Sequence, residues 1–289
     1  MPVRVPIGTR EGESMSLYPA DNFEKRLTVQ DFSPKPSTPW PVLTAYDAWS
    51  AKIFDDAGIP MLLVGDSAAM VMLGQSNTLA IEVEEMIPMI RAVVGATKRA
   101  FVVADLPFGT YQENPQQAVS TSLHIIKQTG AHAVKLEGGI RMQEQIRHLV
   151  DIGIPVVGHV GMTPQSVNTL GGFKVQGRGE SAEQVIEDAL AVQAAGAFAI
   201  VLEVVPFELG ERITDVLSIP VIGIGAGNKT DAQVLVWQDL FGASNSVQAK
   251  FVKPYADLYS TMKLGAQRWA DDVAQRTYPD GNHSYSEKN

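Results

Sequence analysis

From residue 41 onward the chain alternates short apolar runs with longer stretches of helical period. The runs are PVLTA (41–45), MLLVG (61–65), FVVA (101–104), AVKL (133–136), PVVG (155–158), FAIVL (198–202) and PVIGIG (220–225). An eighth, QVLVW (233–237), is weaker. Between them lie amphipathic stretches such as PQQAVSTSLHIIKQTG (115–130) and SAEQVIEDALAVQAAG (181–196). The second places Gln184 three residues after Ser181, the spacing of a capping box, and both stop at a glycine, a common helix terminator. Strands that are apolar throughout, each followed by a helix, belong to a parallel sheet covered on both faces. Seven clear units and a weaker eighth predict a (β/α)8 TIM barrel. An open doubly wound sheet is the weaker alternative, because it usually needs fewer strands at this length. Before residue 36 the chain is polar and carries several prolines. That predicts a partly disordered extension over 1–35, in which LTVQDF (27–32) starts a short helix, and a single domain over 36–289. From about residue 254 the pattern predicts a C-terminal helix, then the tail YPDGNHSYSEKN.

Bulk composition narrows the function. The chain has 289 residues, 45% of them hydrophobic and 19% charged, an ordinary globular composition. A net charge of −9 argues against nucleic acid or an anionic membrane surface as partner, since both select clustered Lys and Arg. The absence of cysteine excludes disulfides, thiolate catalysis and Cys-based zinc sites. No apolar stretch reaches the length of a membrane span, and the first residues lack the apolar core of a signal peptide, so the expected location is the cytoplasm.

In such barrels chemistry sits at the C-terminal ends of the strands. Those positions hold Asp66 and Ser67 after the second run, Asp105 after the third, Lys135 and Glu137 at the fourth, His159 at the fifth and Glu203 at the sixth. Side chains alternate along a strand, so Lys135 and Glu137 share one face while Val134 and Leu136 share the other. Taken singly, an Asp after a strand is more often a turn former, and a lone His more often a core residue. An acid that closes so apolar a run as IVLEVVP has no capping role. Five consecutive strands ending in ionisable groups outweigh five separate structural explanations. Carboxylates brought together raise one another's pKa unless a cation neutralises them. Oxygen donors without thiolate favour a hard cation, Mg²⁺ before Mn²⁺ or Ca²⁺. Asp66, Asp105 and Glu137, from adjacent strands, form the natural ligand set, which leaves Glu203 across the mouth as a base. A hard metal can chelate a 2-oxo acid and stabilise its enolate, and a carboxylate at an apolar strand end can take the α-proton. The residues thus predict a metal-dependent enolase-type or aldol-type enzyme acting on a 2-oxo acid.

Longer motifs carry a family resemblance. LTAYD (43–47), LLVGDS (62–67), ADLPF (104–108), VKLEGG (134–139), GHVGMTPQSVNTLGGFKVQGRG (158–179), LEVVP (202–206) and IPVIGIGAG (219–227) resemble ketopantoate hydroxymethyltransferases, from about residue 27 to about 285. The resemblance implies a TIM barrel of the phosphoenolpyruvate/pyruvate superfamily. It implies transfer of a one-carbon unit from 5,10-methylenetetrahydrofolate to 3-methyl-2-oxobutanoate, giving 2-dehydropantoate for pantothenate biosynthesis. By motif it assigns Mg²⁺ to Asp66, Asp105 and Glu137, substrate contacts to Asp66, Ser67, Asp105 and Lys135, proton abstraction to Glu203, and a place near the substrate to His159. It also implies a homo-oligomer, a decamer of two pentamers. The chain departs from the family pattern at Ala68–Ala69, where Leu-Gly is usual, and at GQSNTL (74–79).

Two alternatives remain. An isocitrate-lyase-like or phosphonomutase-like enzyme would typically use a cysteine in a mobile loop, which this chain lacks. A metal-binding barrel without activity would have no use for Glu203. GIGAGNKT (223–230) resembles a phosphate loop, but it is not GxGxxG and no Lys–Ser/Thr pair follows it; a tightly packed turn is the expectation. QGRGE (176–180) resembles a mobile glycine-rich loop.

Overall fold

Every apolar run becomes a strand. The computed structural model describes residues 25–245 and 248–287. Its strands are β1 (Trp40–Thr44), β2 (Met61–Val64), β3 (Phe101–Asp105), β4 (Ala133–Glu137), β5 (Val156–Gly161), β6 (Ala199–Glu203), β7 (Val221–Ile224) and β8 (Ala232–Leu235). All neighbouring pairs are parallel, and β8 pairs with β1, so the sheet closes into an eight-stranded barrel in chain order. The weak eighth run is therefore the strand that closes it.

Helices Ala48–Asp56, Val83–Ala96, Pro115–Thr129, Gln143–Asp151, Ser181–Ala194 and Phe207–Val216 fill the first six connections. Local chemistry sets their ends. Asn114 accepts from Gln117 N at 2.9 Å, Pro115 opens the first turn, and Gly130 closes the helix at φ 76°. The capping box expected at Ser181 does not form. Glu180 is the N-cap, and Ser181 is already helical, so its hydroxyl points back and donates to Arg178 O at 2.8 Å. The last connection, 225–231, contains no helix. It is the tight turn expected of GIGAGNKT: Gly227 has φ 86°, and a Cβ there would lie 2.6 Å from Phe207 Cβ.

Alternation along the strands builds the interior in layers. At the N-terminal end, Phe32 packs on Trp40 and Phe101 at centroid distances of 4.9 and 5.6 Å, and Phe101 packs on Phe198 at 5.8 Å. Above them Val42, Met61, Val103, Val157, Val201, Ile222 and Val234 belong to one buried cluster. Fully burying each such side chain contributes about 1.5–3 kcal/mol. The next inward step on β3, β4, β5 and β6 brings Asp105, Lys135 and Glu137, His159, and Glu203. The apolar layers thus form a floor under a polar mouth.

Residues 27–32, expected to start a helix, contain a 3-10 turn at Val29–Asp31, with Leu27 and Phe32 buried in the floor. The rest of the expected extension, 1–24, lies outside the described residues. The chain divides into two compact units, one ending at Val236 and one spanning Trp237–Asn289. The second contains the helix Leu258–Ala274, capped by Asp257, which accepts from Ser260 N at 3.0 Å. Among the described residues no helix is long and apolar enough to cross a membrane.

Candidate active site

Strand register brings the predicted residues together. Asp105 pairs with Lys135 across β3 and β4, and Glu137 with His159 across β4 and β5. Gly161 pairs with Glu203 across β5 and β6. Lys135 Nζ lies 2.7 Å from Asp105 Oδ1, with the two side chains 5% and 2% exposed. His159 lies between two acids: Nδ1 is 3.3 Å from Glu137 Oε1 and Nε2 is 3.2 Å from Glu203 Oε2. Asp66 follows β2, and its backbone N donates to Asp105 Oδ2 at 3.2 Å. Ser67 shares a hydrogen bond of 2.8 Å with the buried Tyr46 hydroxyl. Lys135 Nζ lies 3.3 Å from His159 Nδ1, so the six ionisable candidates form one connected group, with Ser67 beside it next to Asp66 in the chain. Glu203 is the most open of its charged members, 16% exposed against 3% for Glu137.

The aim of Glu203 depends on the backbone. Gly161 has φ 92°, and a Cβ on it would lie 2.4 Å from Glu203 O, so this crossing admits only glycine. Met162 N donates to that carbonyl at 2.8 Å. Val204, the next residue, has φ 48°, a costly conformation for a β-branched side chain.

Electrostatics follow from burial and crowding. Burial pushes the Asp66 carboxyl well above the usual range, and Asp105 and Glu137 push it further. Burial also raises Asp105, with Lys135 opposing. At Glu137 burial works in the same direction, but His159, Lys135 and the Gln165 backbone N–H outweigh it and hold the group low. Burial and Lys135 both resist a proton on His159, yet Glu137 and Glu203 raise it to about 9. At neutral pH the ring is an imidazolium lying between the two acids, near both but hydrogen-bonded squarely to neither. Lys135 is likewise held charged, its burial outweighed by Asp105, Glu137 and Asp66.

The donor set fits a hard divalent cation in its chemistry: three buried carboxylates, no thiolate, and acids that raise one another's pKa. Asp105 Oδ1 and Glu137 Oε1 are buried without a hydrogen bond, because their 2.7 and 3.3 Å contacts to Lys135 and His159 are off-angle. Among the described residues no three Asp, Glu or His groups converge on one coordination point. Asp105 Oδ1 instead faces Lys135, and Asp66 Oδ2 accepts from Gln165.

Sequence reasoning missed Gln165, Tyr111 and Gln112. Gln165 is buried, donates from Nε2 to Asp66 Oδ2 at 2.9 Å, and donates from its backbone N to Glu137 Oε2 at 2.9 Å. It lies within TPQSVNTLGG, the stretch most specific to the resemblance, but a neutral amide in a loop has no periodic or charge signal.

Comparison with known proteins places the chain in a family. The family model for ketopantoate hydroxymethyltransferase matches residues 26–281. The chain is 54% identical to the 3-methyl-2-oxobutanoate hydroxymethyltransferase of Thermobifida fusca (strain YX) over 274 residues, 94% of this chain and 97% of that protein. It is 56% identical to the protein of the same name from Mycobacterium sp. (strain KMS) over 246 residues, covering 85% and 87%. Among solved structures, a 2,3-dimethylmalate lyase of the PEP mutase/isocitrate lyase superfamily superposes with a TM-score of 0.56 at 17% identity, covering 90% of this chain and 85% of that one. That likeness shows a shared barrel fold.

Proposed function

The chain belongs to the ketopantoate hydroxymethyltransferase family, enzymes of hydroxymethyl transfer, and from that premise we propose that it converts 3-methyl-2-oxobutanoate to 2-dehydropantoate. The one-carbon donor in this reading is 5,10-methylenetetrahydrofolate, and the product feeds pantothenate biosynthesis. The observation that carries the proposal is the pairing of one accessible carboxylate, Glu203, with three buried ones beneath the same mouth.

Asp66, Asp105 and Glu137 would hold Mg²⁺, which when bound supplies Lewis acidity to the carboxylate and keto oxygens of a 2-oxo acid. Glu203 takes the proton from C3. His159, with Nε2 3.2 Å from Glu203 Oε2, orients that carboxylate. Lys135 and Ser67 meet the anionic end of the substrate. The buried floor keeps water from beneath the reacting carbon. The balance is complete when C3 bonds to the methylene carbon, both carbon–nitrogen bonds that hold that carbon in the folate break, water supplies the hydroxyl, and the C3 proton and one water proton end on the two freed nitrogens.

The test is proton exchange without folate. The protein is incubated with 3-methyl-2-oxobutanoate and Mg²⁺ in D2O, and the C3 proton is followed by NMR. Exchange that EDTA abolishes is expected. If the C3 proton persists both without and with tetrahydrofolate, this substrate is wrong.

A further inference from the structure

Gln165 is 5% exposed, and its side chain has every hydrogen-bonding position engaged. Nε2 donates to Asp66 Oδ2 at 2.9 Å and to Leu106 O at 3.0 Å. Oε1 accepts from the Tyr111 hydroxyl at 2.6 Å and from Gln112 Nε2 at 3.1 Å. Its backbone N reaches Glu137 Oε2 at 2.9 Å. One residue in the Pro164–Ser166 turn thus touches the ends of β2, β3 and β4, where the three candidate ligands lie.

An amide can flip, exchanging donor and acceptor faces. Here the neighbours forbid it. Gln112 Oε1 accepts from Gly109 N at 2.8 Å, so Gln112 has only its NH₂ left to offer Gln165. The Tyr111 oxygen accepts from Glu137 N at 3.1 Å, and its proton has two acceptors in reach, Gln165 Oε1 at 2.6 Å and Glu137 O at 3.2 Å, of which Oε1 is the nearer. Burial keeps that phenol protonated, well above its usual range. Oε1 thus faces the Gln112 NH₂ and the nearer Tyr111 contact, and Nε2 faces two acceptors, Asp66 Oδ2 and Leu106 O. A flipped amide would set its oxygen against a carboxyl and a backbone carbonyl and its NH₂ against the Gln112 NH₂, an arrangement costly at this depth.

The choice of residue matters as well. Lys135 meets Asp105 with a cation, whereas Asp66 is held by a neutral amide that fixes its position and brings no positive charge. We propose that Gln165, locked by Tyr111 and Gln112, is a positioning residue that presets the Asp66 and Glu137 carboxylates and so determines divalent-cation affinity. The proposal rests on the metal assignment made for the proposed function.

The test measures Mn²⁺ binding to the full chain by the EPR signal of free Mn²⁺, in wild type, Gln165→Met and Tyr111→Phe. Methionine keeps the length and removes both donors; phenylalanine leaves Gln165 in place and removes its lock. Partners of metal ligands typically govern affinity by about 10–100-fold. Gln165→Met is expected to weaken Mn²⁺ binding within that range, and Tyr111→Phe by a smaller factor, with thermal unfolding of each metal-free protein recorded alongside. A merely structural role would lower the melting temperature and leave the dissociation constant of the folded protein unchanged. If Gln165→Met does not fold, Tyr111→Phe decides. Wild-type affinity in the folded variants overturns the positioning role alone. No Mn²⁺ binding by wild type overturns the metal assignment, and this proposal with it.

Discussion

Replacing Lys135 with methionine removes the cation from the centre of the acid cluster and keeps most of its volume. Lys135 Nζ is 2.7 Å from Asp105 Oδ1, and both side chains are at least 95% buried. At an effective dielectric of about 20, two charges at that distance attract by about 6 kcal/mol, a gross term that desolvation offsets. Removing one partner of a buried pair costs about 3–5 kcal/mol, because the other charge stays behind. Three acids stay behind here, since Asp105, Glu137 and Asp66 all act on Lys135. For a domain of this size, about 2–4 °C per kcal/mol converts the cost to a fall in Tm of about 6–20 °C. The pH dependence has a definite sign. Asp66 and Asp105 titrate above their unfolded values, so their contribution is fully present below an unfolded pKa of about 4 and is lost as pH rises through the folded values. Stripping the cation pushes those values higher still. The Lys135→Met deficit should therefore be largest at neutral and alkaline pH and shrink towards pH 5. The assay is thermal unfolding by circular dichroism in EDTA, across pH 5–8, with Asp105→Asn added in the Lys135→Met background. That second change should restore part of the loss. A melting temperature within about 2 °C of wild type at neutral pH, or a deficit that grows on acidification, refutes the reasoning.

Glu203→Gln should slow C3 deuterium exchange about 10²–10⁴-fold, the usual contribution of a general base, while His159 Nε2 still has an amide oxygen to meet and the melt is preserved; NMR exchange rates and a thermal scan check both. His159 titrates at about 9 in the fold against an ordinary value of 6.5. Its stabilisation is fully present below about 6.5 and fades as pH climbs through 9, so His159→Gln should flatten the metal-free stability curve in that window. Gly161→Ala should cost about 1–3 kcal/mol by overpacking and slow exchange more than its stability loss explains, because the new Cβ meets Glu203 O. Exchange at the wild-type rate would show that this backbone crossing does not aim the base.

The barrel was legible because a strand covered on both faces must be apolar throughout, and PVVG, FAIVL and their counterparts meet that condition. The cluster was legible for the complementary reason. A charge at the end of such a run must either be paired or do chemistry, and Asp105, Glu137 and Glu203 occur where the apolar layer ends. The helix does begin at Ser181, but the capping box expected there does not form, because a spacing of three residues does not say which residue leaves helical geometry first; Glu180 is still helical and Gly179, at φ 58°, is the one that leaves it.

Period-two alternation, the strand ends and the family's long motifs were present in the sequence itself, since each depends on residues adjacent along the chain. Which acid faces which cation was decided only by folding. The bond from Gln165 to Asp66 spans 99 residues, and the contacts of His159 with Glu137 and Glu203 exist because β4, β5 and β6 lie side by side in one register. A neutral amide is indistinguishable in sequence from any loop residue. Its role arises when three strand ends converge around it and bury its donors and acceptors against fixed partners.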